Sequence, residues 1–305
     1  MKAKTFIAKI LAVAAVALCG ACAWMKDSKK ADEPLKVLMI GNSFSICALQ
    51  HMPAVAESMG LKLDLASLYI GGCSLERHWN NVLKDDDKKF RPYHFSRNTC
   101  GKKSATGKAN VCDVLRSEKW DVVTIQQASH ESWKKESYSP HGDNLVAKIR
   151  ELSPTAKIYV QETWSYTPWD KRLAKWGFGQ DEMYEKLRLA YADFAAKHSL
   201  PIIRMGAAVQ EWRRRLPVKY SENSFGGDVV GGGRQKPADQ FKRTKENKWV
   251  PNCDVFHLGV SGEYLQALVW TAKIFGCDVS QCTYKPDFVT GPEANLMKKI
   301  ASELK

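Results

Sequence analysis

Apolar and polar positions fall into blocks along this chain, and the period of the blocks changes. LKVLMIG, residues 35–41, is a nearly continuous apolar run closed by glycine, the pattern of a strand buried on both faces. LKLDLASLYI, 61–70, opens with strict alternation and stops at Gly71-Gly72, which predicts a second strand. WDVVTIQQ (120–127), AKIYVQETW (156–164) and PIIRM (201–205) predict three more. Between them the period lengthens. Leu49, Met52, Val55 and Met59 predict a helix over 46–59, and another is predicted around 143–152. Met183, Leu187, Tyr191 and Phe194 mark a helix over 180–198, with one more at 207–215. Leu265, Leu268, Val269, Ala272 and Phe275 mark a last one over 261–275. Two segments carry neither period. Residues 80–113 read as a polar excursion, and 217–253, holding SFGGDVVGGG, as a long loop of the kind that usually serves function or is disordered.

Strands alternating with helices predict an α/β fold: a three-layer α/β/α sandwich around a five-stranded parallel sheet. No internal repeat or second domain is visible, so residues 35–305 are expected to form one domain. In such sheets ligands sit beyond the carboxyl ends of the strands. Gly41-Asn42-Ser43, Gly71-Gly72, Gln126-Gln127 and Glu162-Thr163-Trp164 stand at those ends.

Composition adds a destination. Lys2, Lys4 and Lys9 precede the apolar run ILAVAAVALCGACA, the pattern of a secretory signal over residues 1–23. Ala21-Cys22-Ala23 suits signal-peptidase cleavage; Cys22 after Gly20-Ala21 also suits lipidation. Residues 24–34 then form a polar tether. An exported or envelope-anchored protein is expected, touching membrane only through that lipid. The net charge of +13 is spread over separated, acid-mixed runs, so a solvated basic surface is expected rather than a nucleic-acid site. Past Cys22, the cysteines are Cys47, Cys73, Cys100, Cys112, Cys253, Cys277 and Cys282. Cys100 with Cys112 and Cys277 with Cys282 are candidate pairs, and no spacing matches a zinc site. GKKSATGKA, 101–109, has five residues between its glycines where a phosphate loop has four, and Ala109 where Ser or Thr would hold magnesium. It follows no predicted strand, so a surface loop is expected.

The chemistry gathers at the strand ends. A serine hydroxyl becomes a nucleophile only beside a base, usually a histidine that a carboxylate orients. Of the seven histidines, His257 alone has such a setting, with Asp254 three residues earlier between the Gly-rich loop and the last helix. Ser43 is the candidate nucleophile; its plainer role would be to cap the following helix. An acyl-transfer site also needs donors aimed at the developing oxyanion. The amides of Ser43 and Gly72 are candidates, with a side-chain amide from Gln126 or Gln127. Trp164 and Trp79 are candidate sugar platforms, because aromatic faces pack on the C–H faces of sugar rings. His78 and His130 lie just beyond strand ends and could border the site.

GNSFS after the first strand, YIGGCSLERHW, TIQQASHES and DVFHL together resemble the four blocks of the SGNH/GDSL-type hydrolases. The resemblance is greatest to the bacterial subgroup with GNSFS in block one (DUF4886-like), and it spans about residues 35–275. It implies a flavodoxin-like fold, Ser43 as nucleophile, Gly72 or Gly71 as an oxyanion donor, and Asp254 and His257 as orienter and base. The chain departs from the pattern at block three, where Gln126-Gln127 replaces Gly-x-Asn-Asp and leaves the third oxyanion donor in question. The expected function is a cofactor-independent serine esterase acting on small-molecule or glycan esters, O-acetyl groups above all. The alternative is an exported carbohydrate-binding lipoprotein with an inactive site. Hydrogen-bond reach between Ser43 and His257 separates the two.

Overall fold

The apolar runs of the sequence become one twisted sheet with helices on both faces. The computed structural model describes residues 33–305 except positions 217 and 234. The signal-like segment, Cys22 and most of the tether lie outside the described residues. Leu35–Lys305 forms one compact unit. Its elements are β1 (Leu35–Gly41), α1 (Ser43–Ile46), α2 (Met52–Ser58), β2 (Leu63–Tyr69), α3 (Leu75–Val82), β3 (Tyr93–Thr99), β4 (Lys102–Ala109) and α4 (Val111–Ser117). Then come β5 (Val122–Ile125), α5 (His141–Leu152), β6 (Lys157–Gln161), α6 (Lys171–Trp176), α7 (Gln180–His198), β7 (Ile202–Ile203) and α8 (Met205–Arg215). A small hairpin, β8 (Phe241–Arg243) and β9 (Trp249–Pro251), interrupts the long loop, and α9 (Val260–Phe275) and α10 (Gly291–Glu303) close the chain.

The main sheet runs β4-β3-β2-β1-β5-β6-β7. Its strands β2, β1, β5, β6 and β7 are parallel. Counted among themselves they lie in the order 2-1-3-4-5, the flavodoxin-like arrangement, which opens a crevice where the order reverses. That switch point lies between β1 and β5. Helices α2, α8, α9 and α10 pack together on one face, while α3, α4 and α5 pack on the other. Helix α7 joins this second group, since Phe194 lies against Gly142 of α5. Helix α9 is enclosed almost all round, which suits its high apolar content.

The sheet has seven strands rather than five. The extra pair, β3 and β4, is an antiparallel hairpin on the edge of β2. It lies in the polar excursion because an edge hairpin buries little: only Tyr93 and Ala109 are buried along both strands. Polar contacts fasten it instead. Arg97 donates through Nε (2.8 Å) and Nη2 (2.5 Å) to the buried Asp64, and Thr99 Oγ1 donates to the same carboxylate. GKKSATGKA is therefore β4 with its entering turn, not a loop, and it follows strand β3. Its amides belong to a ladder, not to an anion cradle.

Other departures are local. The helix expected over 46–59 breaks at His51, and Pro53 stands in the first turn of α2. Helix α10 lies beyond the last predicted helix and starts with a capping box between Thr290 and Glu293. Cys100, Cys112, Cys277 and Cys282 all carry free thiols. Cys100 is exposed on the hairpin turn while Cys112 is buried in α4; Cys282 is buried, with Sγ 3.2 Å from Ser58 Oγ. Among the described residues no helix is long and apolar enough to cross a membrane.

Candidate active site

Strand β1 ends at the switch point, and the chain there turns at once into α1. The cap of that helix is Asn42, whose Oδ1 accepts from the Phe44 amide at 3.0 Å. Ser43 is thus the first helical residue and its hydroxyl is left free of capping. Asn42 does more than cap. Its Nδ2 donates to Cys73 O (2.9 Å), and its Oδ1 also accepts from Gln126 Nε2 (2.6 Å). One side chain therefore joins the ends of β1 and β5 to the turn after β2.

From the far side come Asp254 and His257. Asp254 Oδ1 accepts from the amides of Phe256 (2.8 Å) and His257 (2.7 Å), closing a tight turn. That turn leaves Oδ2 2.5 Å from His257 Nδ1, while His257 Nε2 stands 2.6 Å from Ser43 Oγ. Burial would raise the Asp254 carboxyl, but the hydrogen bonds from the His257 ring and the two amides outweigh it and hold it below the usual carboxylate range. The Gly-rich loop cradles the turn: Gly231 N donates to His257 O (2.8 Å) and Gly232 N to Asp254 O (3.0 Å). Gly231 has φ +87°, and a Cβ there would meet the Phe225 ring at 2.7 Å, so glycine is required. The long loop thus has a task, which is to seat the Asp254–His257 turn over the sheet.

Ser43, His257, Gly71 and Gly72 line a pocket of about 370 Å³. Among the described residues the amides of Ser43 and Gly72 have no acceptor. Gly72 has φ +60° and lies exposed at the rim. A wider polar cleft of about 560 Å³, lined by Ser74, Glu76, Glu131 and Ser137, meets this pocket at His130.

Several expected residues lie elsewhere. Gln126 and Gln127 are both buried, and neither lines the pocket. Gln126 accepts from Gln161 Nε2 (2.8 Å) while it donates to Asn42, and Gln266 in turn donates to Gln161 (3.0 Å). Gln127 donates to Ser137 O and Oγ and accepts from the amides of Leu75 and Ala128. Both N–H groups of Gln127 are thus engaged, and Gln126, with one N–H given to Asn42, is buried outside the pocket lining. Trp164 is fully buried; it stacks on Phe44 at 4.1 Å and donates to Phe256 O at 2.8 Å, so it supports the site from below and cannot meet a sugar. Trp79 is half-buried on α3, outside the pocket. His78 is buried against Tyr93, and burial pushes its pKa down to about 3. His130 does border the pocket. Sequence reasoning missed Ser129 and Arg172, which line it as well. Ser129 stands in TIQQASHES two residues past the glutamines, and strand length alone decides which of these residues faces inward.

The family model described as "Domain of unknown function (DUF4886)" matches residues 36–225. The chain belongs to the DUF4886 family. A solved DUF4886 family protein from Bacteroides uniformis is 26% identical, with a TM-score of 0.72, covering 89% of this chain and 94% of that one. A protein from Slackia heliotrinireducens, provisionally described as an SGNH hydrolase, is 19% identical with a TM-score of 0.49, covering 79% and 100%. An acetyl xylan esterase is 13% identical with a TM-score of 0.47, covering 78% and 99%. No curated protein matches the chain. In this DUF4886 chain the matched region holds Ser43, Gly72 and Ser129 but ends before Asp254 and His257.

Proposed function

We propose that the protein is a serine ester hydrolase that removes short acyl groups, O-acetyl above all, from carbohydrate through an acyl-enzyme. The observation that carries this reading is the continuous line Ser43 Oγ, His257 Nε2, His257 Nδ1, Asp254 Oδ2 at 2.6 and 2.5 Å. It stands at the switch point of the sheet, beside two amides free to donate.

Ser43 Oγ attacks the ester carbonyl carbon as its proton passes to His257 Nε2. Asp254 accepts from Nδ1–H and stabilises the imidazolium. The carbonyl oxygen becomes an oxyanion that the Ser43 and Gly72 amides receive. The C–O bond to the alcohol then breaks, and His257 gives its proton to the departing alcohol oxygen. Water attacks the acyl-enzyme, losing a proton to His257. The acid leaves as that proton returns to Ser43 Oγ.

With Trp164 buried and Trp79 outside the pocket, support for a carbohydrate comes from the adjoining cleft. Its hydroxyls, carboxylates and imidazoles suit a hydroxyl-rich alcohol better than a lipid chain. The signal-like segment supports export, and Cys22 supports an envelope anchor.

The test is hydrolysis of p-nitrophenyl acetate by the chain from residue 24 onward, beside Ser43→Ala and His257→Ala. The expected outcome is a loss of about 10³-fold or more in kcat for each variant with melting temperature unchanged. A rate that survives Ser43→Ala sinks the assignment. A chain that binds acetylated oligosaccharide but never turns it over favours the carbohydrate-binding alternative.

A further inference from the structure

The esterase reading leaves one position open. The amides of Ser43 and Gly72 border the pocket, and neither of the expected glutamines lines it. We infer that the Ser129 hydroxyl is the third oxyanion donor and that Tyr166 orients it; the inference rests on the esterase reading above.

Ser129 lies beyond the carboxyl end of β5, across the switch point from Ser43, and lines the same pocket as Ser43, Gly72 and His257. Only 7% of the residue is exposed although it lines the pocket.

A serine hydroxyl has one proton and two acceptor sites. Tyr166 OH donates to Ser129 Oγ at 2.8 Å, filling one acceptor site. The Ser129 proton must therefore point away from Tyr166. Among the described residues it meets no acceptor, so it faces the pocket. A hydroxyl that accepts one hydrogen bond is also polarised into a better donor.

Tyr166 is fully buried, and burial pushes its pKa up to about 12, so it remains a donor throughout the working range. The Arg172 guanidinium lies 4.3 Å from the centre of its ring, and Asp170 holds Arg172 in a two-pronged pair at 2.9 and 2.6 Å. Ser132 Oγ donates to Ser129 O (2.9 Å), and Gln127 Oε1 accepts the Ala128 amide (2.8 Å), so the loop on both sides is fixed. A donor held this way needs no reorganisation when charge develops on the substrate, which is the condition for electrostatic catalysis. Gln127 thus serves the oxyanion site indirectly, by fixing the loop that carries Ser129.

The test compares Ser129→Ala, Ser129→Thr, Tyr166→Phe and Ser43→Ala on p-nitrophenyl acetate, with kcat, KM and melting temperature for each. Loss of one oxyanion donor lowers kcat by about 10²-fold or more. Ser129→Ala is expected to show that fall with KM within about threefold and the melting temperature held. Ser129→Thr keeps the hydroxyl and should recover most of kcat. Tyr166→Phe should lower kcat in the same sense by about tenfold. The inference is overturned if Ser43→Ala is inactive while Ser129→Ala keeps kcat within about threefold of the parent. It is also overturned if Ser129→Ala loses rate and melting temperature together and Ser129→Thr restores neither. Activity that persists in Ser43→Ala instead defeats the esterase reading itself.

Discussion

Asn42 concentrates the local logic of the site in one side chain. It caps α1, so Ser43 need not, and it accepts the end of a buried amide chain running from Gln266 through Gln161 and Gln126. Asn42→Ala should therefore cost more than an ordinary cap. We expect a loss of about 2–3 kcal/mol in urea unfolding, since a buried Gln126 N–H is orphaned as well; a loss under about 1 kcal/mol would show the chain re-pairs. Glu162 is a second buried polar residue with a measurable signature. Burial raises its pKa from 4.5 to about 7, against the opposing hydrogen bond from the Ala207 amide. The folded chain thus keeps a proton between these values that the unfolded chain has released. Its contribution to stability is full below the unfolded value and is lost as pH rises through about 7. Between pH 5 and 8 the parent should lose about 3 kcal/mol more than Glu162→Gln. Parallel stability curves for the two would contradict the raised pKa.

Among elements, β1, β2, β5, β6 and α7 were legible because each buries a regular set of apolar side chains, and burial imposes the period. β3 and β4 were not, because ladder bonds and one ionic cluster hold them with almost no apolar face. That cluster supplies a test. Arg97→Met leaves Asp64 buried with only Thr99 as a partner from the hairpin. We expect a loss of about 3 kcal/mol in urea unfolding, and faster amide exchange in Tyr93–Ala109 than in β1. Unchanged exchange in the hairpin would mean that its backbone ladder suffices.

For the whole molecule the thiols provide a readout of packing. None of Cys73, Cys100, Cys112 and Cys282 is bridged. Cys100 is exposed, whereas burial pushes the thiols of Cys73 and Cys112 up to about 12. Maleimide should label Cys100 in the native protein and reach Cys73 and Cys112 only on unfolding. Dithiothreitol should leave the melting temperature unchanged. A drop on reduction would show that a bridge forms after all.

The sequence by itself determined the layers of this protein and the stations of its candidate site. The apolar periods specify which segments are strands and helices, and strand ends are where such sheets keep their chemistry. Ser43, Asp254 and His257 could be named from that and from the types of residue around them. Tertiary structure alone decided which polar side chains face the pocket. Gln126, Gln127 and Trp164 carry suitable groups at suitable strand ends, yet each is already committed to a buried partner. Ser129 carries a smaller group that no pattern marks. Its value comes from Tyr166, 37 residues away in the chain, which takes one side of its oxygen and leaves the proton free. Hydrogen-bond saturation is a property of three-dimensional neighbours, so a period in the sequence does not report it.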